Sequence, residues 1–120
     1  MESYKDLIAY QKGYRLALEV YDRTKTYPKE EVYGLVSQMR RAAVSIPCNI
    51  AEGYGRGHRK EYIHFLHIAR ASCGEIETLL SLSHDLGIIG TDVFEQLHGL
   101  EDEVSRLLKR LIAALSRSNK

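Results

Sequence analysis

The sequence predicts an all-α fold, an antiparallel up-down four-helix bundle, on three observations. Apolar residues recur at the 3.6-residue helical period in four successive segments. No strand-like alternation survives beside those stripes. The segments are joined by short connections bearing proline or glycine, and short connections favour antiparallel neighbours. At 120 residues the chain makes one domain, 1–120, large enough to bury a core without disulfides or metals.

The first helix is expected over about residues 5–25, with Leu7, Tyr10, Tyr14, Ala17, Leu18 and Tyr21 facing the core. It stops before Tyr27-Pro28, because the residue preceding proline is pushed out of the helical region. The second is expected from residue 29 or 31 to 52, on Leu35, Met39, Ala42, Ala43, Ile46 and Ile50, with a kink at Pro47. The third runs from about 59 to 86 on Tyr62, Leu66, Ala69, Cys73, Ile76 and Leu80, and Gly87 suits a left-handed cap. The fourth opens at Asp92, with Glu95 completing a capping box, and is carried to about 116 by Val93, Leu97, Leu100, Val104, Leu107 and Leu111.

Net charge is only +1, yet the charges are segregated. Residues 74–103 hold Glu75, Glu77, Asp85, Asp92, Glu95, Glu101, Asp102 and Glu103 with no lysine or arginine. Residues 104–120 hold Arg106, Lys109, Arg110, Arg117 and Lys120 with no acid. In an up-down bundle, Lys5, Lys12, Arg56, His58, Arg59, Lys60, Lys109, Arg110, Arg117 and Lys120 gather at one end. Asp85, Asp92 and Glu95 gather at the other. An uneven solvated surface and a polyanion-binding pole weigh evenly as readings of this pattern.

Two helices carry apolar or small residues on a second face. Opposite the core stripe of the second helix lie Gly34, Ser37, Val44, Ser45 and Cys48; opposite that of the first lie Ala9, Leu16 and Val20. Eight tyrosines against two phenylalanines supply apolar bodies with polar tips, which suit interfaces. Self-association is therefore expected, with Gly34, Ser37, Ser45, Cys48, Leu16 and Val20 in the interface. The two cysteines, Cys48 and Cys73, lack metal-binding spacing and are expected to be buried free thiols.

No enzymatic constellation emerges, and no metal or cofactor is expected. Glu61/His64 and Glu95/His98 match the Glu-x-x-His spacing of di-metal bundles, but His64 and His98 lie off the core stripes and Glu95 points away from its own. The loop Gly53-Tyr54-Gly55-Arg56-Gly57 follows no strand and precedes no Gly-Lys-Ser/Thr, so it reads as a turn between helices. Arg56, Arg59 and Lys60 beside it suit phosphate contact. Arg40 and Arg41 sit beside a semi-buried stripe and need either acids or phosphates as partners. No run approaches the ~18 apolar residues of a membrane span, and MESYKD carries no secretory pattern. A cytoplasmic protein with no membrane partner is expected.

The run YGLVSQMRRAAVSIPCNIAEGYGR, with YKDLIAYQKGYRLALEVYDRTKTYP before it and EYIHFLHIARASCGEIETLLSLSHDLGII after it, resembles the bacterial four helix bundle protein family. Members of that family include proteins encoded in intervening sequences of large-subunit ribosomal RNA genes. It is related to the accessory variability protein of diversity-generating retroelements. The resemblance covers nearly the whole chain. It implies an up-down bundle, a homopentameric ring, and a basic surface that binds RNA or DNA and a reverse transcriptase. Arg40, Arg41, Pro47, Asn49, Glu52 and Gly53 fall in the family's central motif, where the resemblance implies a structural role. The expected function is a non-enzymatic, nucleic-acid-binding oligomer. The alternative is a protein-interaction scaffold with no nucleic-acid role.

Overall fold

The computed structural model describes residues 3–117. A short 3-10 turn, Tyr4–Asp6, leads into four α-helices: α1 (Ile8–Thr24), α2 (Ser37–Gly55), α3 (Arg59–Asp85) and α4 (Thr91–Arg117). Among the described residues there is no strand, and no helix is long and apolar enough to cross a membrane. The all-α four-helix fold read from periodicity is the one observed.

Cross-helix contacts set the direction of each neighbour. Between α1 and α4, Lys12 meets Glu103 while Arg23 meets Gln96. Between α2 and α3, Arg41 meets Glu75 while Ser45 meets Ser72. In each pair one number rises as the other falls, so the helices run antiparallel. The α3–α4 pair behaves alike, through Glu77–His98 and His84–Thr91. The result is a rod of 49 × 21 × 20 Å.

Local chemistry sets the ends. The left-handed Gly87 (φ 76°) terminates α3, with its N–H donating to the His84 carbonyl and that of Ile88 to Ser83; a side chain would be strained there. Gly57, φ 78°, turns the α2–α3 connection. The expected capping box at Asp92 is not formed: the Phe94 N–H donates to the Gly90 carbonyl, which puts Asp92 inside the first turn of α4. Its charge still faces the positive end of the helix dipole.

The start of the second helix is more complex than periodicity suggested. A 3-10 turn at Lys29–Glu31 and a π turn at Val32–Val36 precede α2. The departure from helical dihedrals falls at Gly34 (φ −108°, ψ −109°), whereas α2 continues through Pro47.

The core is built from Leu16 and Val20 of α1, Met39, Ala42, Ala43, Ile46 and Ile50 of α2, Leu66, Ala69, Cys73, Ile76 and Leu80 of α3, and Leu97, Val104 and Leu108 of α4, all fully buried. This corrects the first helix. Its inward face is Ala9, Gly13, Leu16 and Val20, while Tyr14, Leu18 and Tyr21, expected inside, are exposed. The two stripes of α1 were assigned the wrong way round because tyrosine bodies fit the helical period as well as aliphatic ones do. Cys48 is likewise exposed rather than buried.

Candidate functional site

The basic residues singled out from sequence do not form one patch. Arg40 and Arg41 lie near the start of α2 and Arg56 just past its end, roughly 22 Å apart at 1.5 Å per residue. Arg40 is committed within the chain. Its Nε donates to Thr24 Oγ1 at 2.9 Å, and its guanidinium lies 4.5 Å from the centre of the Tyr21 ring. Arg41 pairs with Glu75 at 2.9 Å across the α2–α3 seam. Both therefore have partners within the chain.

Arg56 pairs with Glu52 at 3.0 Å and covers the Phe65 ring at 4.9 Å. Arg59 and Lys60 are exposed at the start of α3. The α3–α4 register places Lys60 level with Leu115, so the end of α4 joins them. Lys12 is held by Glu103 at 3.4 Å. Lys120, placed at this end from sequence, lies outside the described residues.

A second basic feature runs up from that end between α3 and α4. Arg70, Asp102, Ser105, Arg106, Lys109 and Arg110 line an open groove of about 440 Å³. The acid Asp102 is taken up by Arg106 at 2.8 Å. Sequence reading had placed Lys109 and Arg110 at the pole but missed Arg70 and Arg106. The spacing 106, 109, 110 on one helical face was the signal available.

The residues assigned to self-association scatter. Leu16 and Val20 have no solvent exposure and belong to the chain's own core, which removes them from any interface. Ser45 Oγ accepts from Ser72 Oγ and from Asn49 Nδ2, both at 2.9 Å, so it joins α2 to α3. A Cβ on Gly34 would lie 2.8 Å from the Glu31 carboxylate oxygen that caps Leu35, the far end of a flexible side chain. Ser37 is exposed, and Cys48 is exposed at a groove.

That groove, about 500 Å³, lies between α1 and α2 and is lined by Tyr10, Tyr14, Leu18, Tyr21, Val44 and Cys48 among others. Tyr14, Leu18 and Tyr21 are 42–56% exposed, a large apolar surface for one side of a small bundle. A chain of ring contacts extends it: Tyr14–Tyr10 at 6.0 Å, Tyr10–Tyr4 at 5.0 Å, Tyr4–Tyr54 at 6.5 Å and Tyr54–Tyr62 at 5.8 Å. Burial, reinforced by Tyr54, pushes the Tyr62 hydroxyl to about 12, so it stays protonated.

The family model for the 23S rRNA-intervening sequence protein matches residues 5–110. The chain belongs to that family. A solved structure from Bacteroides thetaiotaomicron, described as a protein with unknown function from the S23 ribosomal protein family, is similar at a TM-score of 0.79 and 23% identity. The match covers 88% of this chain and 98% of that one, and shows the shared fold. Comparison with curated proteins finds no match.

One further cluster lies between α3 and α4. Glu101 on α4 is buried, 4% exposed, and its Oε1 has no hydrogen-bond partner among the described residues. Burial, then the nearby Glu77 carboxylate, push it up to about 7; His98 opposes them. The pattern Leu97, Glu101, Val104, Leu108 is a core stripe with an acid in it, and that was the visible sign.

Proposed function

We propose that this protein is a non-enzymatic oligomer that holds nucleic acid by its phosphates on the basic α3–α4 side. The observation that carries this reading is the division of the bundle into two unlike sides. The order of neighbours puts the apolar α1–α2 groove opposite the basic α3–α4 groove. A copy seated on the first leaves the second free.

A separate apolar group supports a head-to-tail contact. Val32, Tyr33, Leu82 and Leu86 are exposed, Tyr33 at 95%, and they lie at the end of the rod away from Tyr4 and Tyr54. Two unlike patches on one chain suit a heterologous interface, which closes into a ring when the rotation allows. Five subunits is the number the resemblance to the accessory variability protein implies. A ring also multiplies a weak basic groove through effective concentration. The family's name ties it to intervening sequences of 23S rRNA, which makes RNA the first ligand to try. A reverse transcriptase or other protein partner belongs to the same reading as a second occupant.

The test is fluorescence anisotropy with a structured RNA and a duplex DNA at two salt concentrations. Affinity should fall steeply with salt and show little sequence preference, because phosphate contacts release counterions. Changing Arg70, Lys109 and Arg110 together to alanine should reduce both affinity and salt slope, whereas Arg41→Ala should not. Binding unchanged in the triple variant would remove this groove from the account. No binding to either nucleic acid would favour the scaffold reading, in which the tyrosine groove takes another polypeptide.

A further inference from the structure

Glu77 on α3 and His98 and Glu101 on α4 bring three ligand atoms within 4.8 Å of one another. His98 Nε2 and Glu77 Oε2 are already 3.1 Å apart, close to the spacing of two ligands on one ion. Glu77 is exposed, His98 half-buried and Glu101 buried. Glu77 and Glu101 open onto a groove of about 390 Å³ lined also by His67, Arg70 and Ser105.

The decisive feature is Glu101. A carboxyl oxygen buried with no hydrogen-bond partner among the described residues costs free energy. Arg70 reaches the same groove, yet Glu101 Oε1 remains unpaired. His98 and Glu77 stand beside it with ligand-forming atoms of their own.

From this geometry we infer that Glu77, His98 and Glu101 form a binding site for a divalent first-row transition cation that clips α3 to α4. Imidazole together with carboxylates suits zinc and its neighbours better than magnesium or calcium. Three protein ligands leave a coordination position for water, open to the groove. Ligand atoms about 2.1 Å from a tetrahedral ion lie about 3.4 Å apart, so no pair closes by more than roughly 1.4 Å. The exposed Glu77 side chain is free to supply that movement. The spacing differs from the Glu-x-x-His pairs weighed from sequence: the ligands are His98 and Glu101 in the reverse order, with Glu77 from the neighbouring helix.

The experiment is calorimetric titration of chelator-stripped full-length protein with zinc chloride, repeated with cobalt(II) and read by visible absorption. One equivalent per chain should saturate at micromolar metal, with a cobalt spectrum of nitrogen and oxygen coordination. Glu101→Gln, His98→Gln and the exposed Glu77→Gln should each weaken binding at least tenfold with unchanged helical circular dichroism. His64→Gln should leave binding as it was. Absence of saturable binding would overturn the proposal, and so would binding that survives both Glu77→Gln and Glu101→Gln.

Discussion

The Arg40 guanidinium lies over the Tyr21 ring at 4.5 Å, and its Nε donates to Thr24 Oγ1 at 2.9 Å. The start of α2 is thereby clamped to the end of α1. Thr24 is buried and its hydroxyl donates to the Val20 carbonyl at 2.7 Å, so the hydroxyl is fully used. Arg40→Ala should destabilise the fold by about 1–3 kcal/mol, from two charged hydrogen bonds, to Thr24 Oγ1 and the Tyr21 carbonyl, and one cation–π contact. Nucleic-acid affinity should not move. Urea unfolding and the anisotropy assay check the two halves, and an affinity loss without destabilisation would return Arg40 to the phosphate-binding set.

Glycine at position 53 is required by the α2–α3 approach. A Cβ there would lie 2.8 Å from Phe65 Cβ and 3.2 Å from the Tyr62 carbonyl, and neither atom moves without its backbone. Gly53→Ala should cost about 1–3 kcal/mol through overpacking. Gly74→Ala, in the middle of α3 with nothing within 4 Å, should instead stabilise by up to about 1 kcal/mol through helix propensity. Opposite signs in denaturant midpoints are the expected result; equal signs contradict this packing.

Stability of the metal-free protein should fall as pH rises from about 4.5 to about 7. Glu101 titrates near 7 when folded, against 4.5 for the free carboxyl. The folded state therefore holds a proton that the unfolded state has released. A raised carboxyl contributes stability that is complete below the unfolded value and lost on passing the folded one. The expected loss is at most roughly 3.5 kcal/mol, from a rise of about 2.5 at about 1.4 kcal/mol per pH unit. Glu101→Gln should flatten that slope and be the more stable protein at pH 8, measured by unfolding in the presence of chelator.

The two thiols should differ in reactivity. Burial, with the Glu101 carboxylate adding to it and Arg70 opposing, holds the Cys73 thiol near 12, and its side chain is fully enclosed. Cys48 is exposed at the tyrosine groove. Iodoacetamide on the single-chain Leu18→Glu variant should add one group, at Cys48, and a second only after unfolding. Mass spectrometry of the intact chain reads this directly.

Periodicity alone carried the fold because most stripes were unambiguous. Met39, Ala42, Ala43, Ile46 and Ile50 recur on one face of α2, and all are fully buried. It failed on α1, where Ala9, Gly13, Leu16 and Val20 compete with a tyrosine stripe of the same period. Only contact decides there: a Cβ on Gly13 would meet Ile46 at 2.9 Å, which identifies the glycine face as the inner one. The basic end followed from topology, but the α3–α4 groove needed Arg70 and Arg106 to meet across two helices distant in sequence. Gly34 and Ser45 looked like a face for a neighbour because small residues serve close approach of any kind. Within the chain, Ser45 takes a hydroxyl bond from Ser72, and Gly34 lies beside the Glu31 carboxylate that caps Leu35. The Glu77–His98–Glu101 cluster stayed hidden because one ligand comes from another helix.

Light-scattering mass during gel filtration tests most directly whether the apolar α1–α2 side is covered by another copy. The native protein should elute at a multiple of its 13.7 kDa chain mass. Leu18→Glu, which charges the exposed floor of the groove, should elute at one chain mass with its helicity intact. A native protein that runs as a single chain would contradict the account, as would a Leu18→Glu variant that stays assembled.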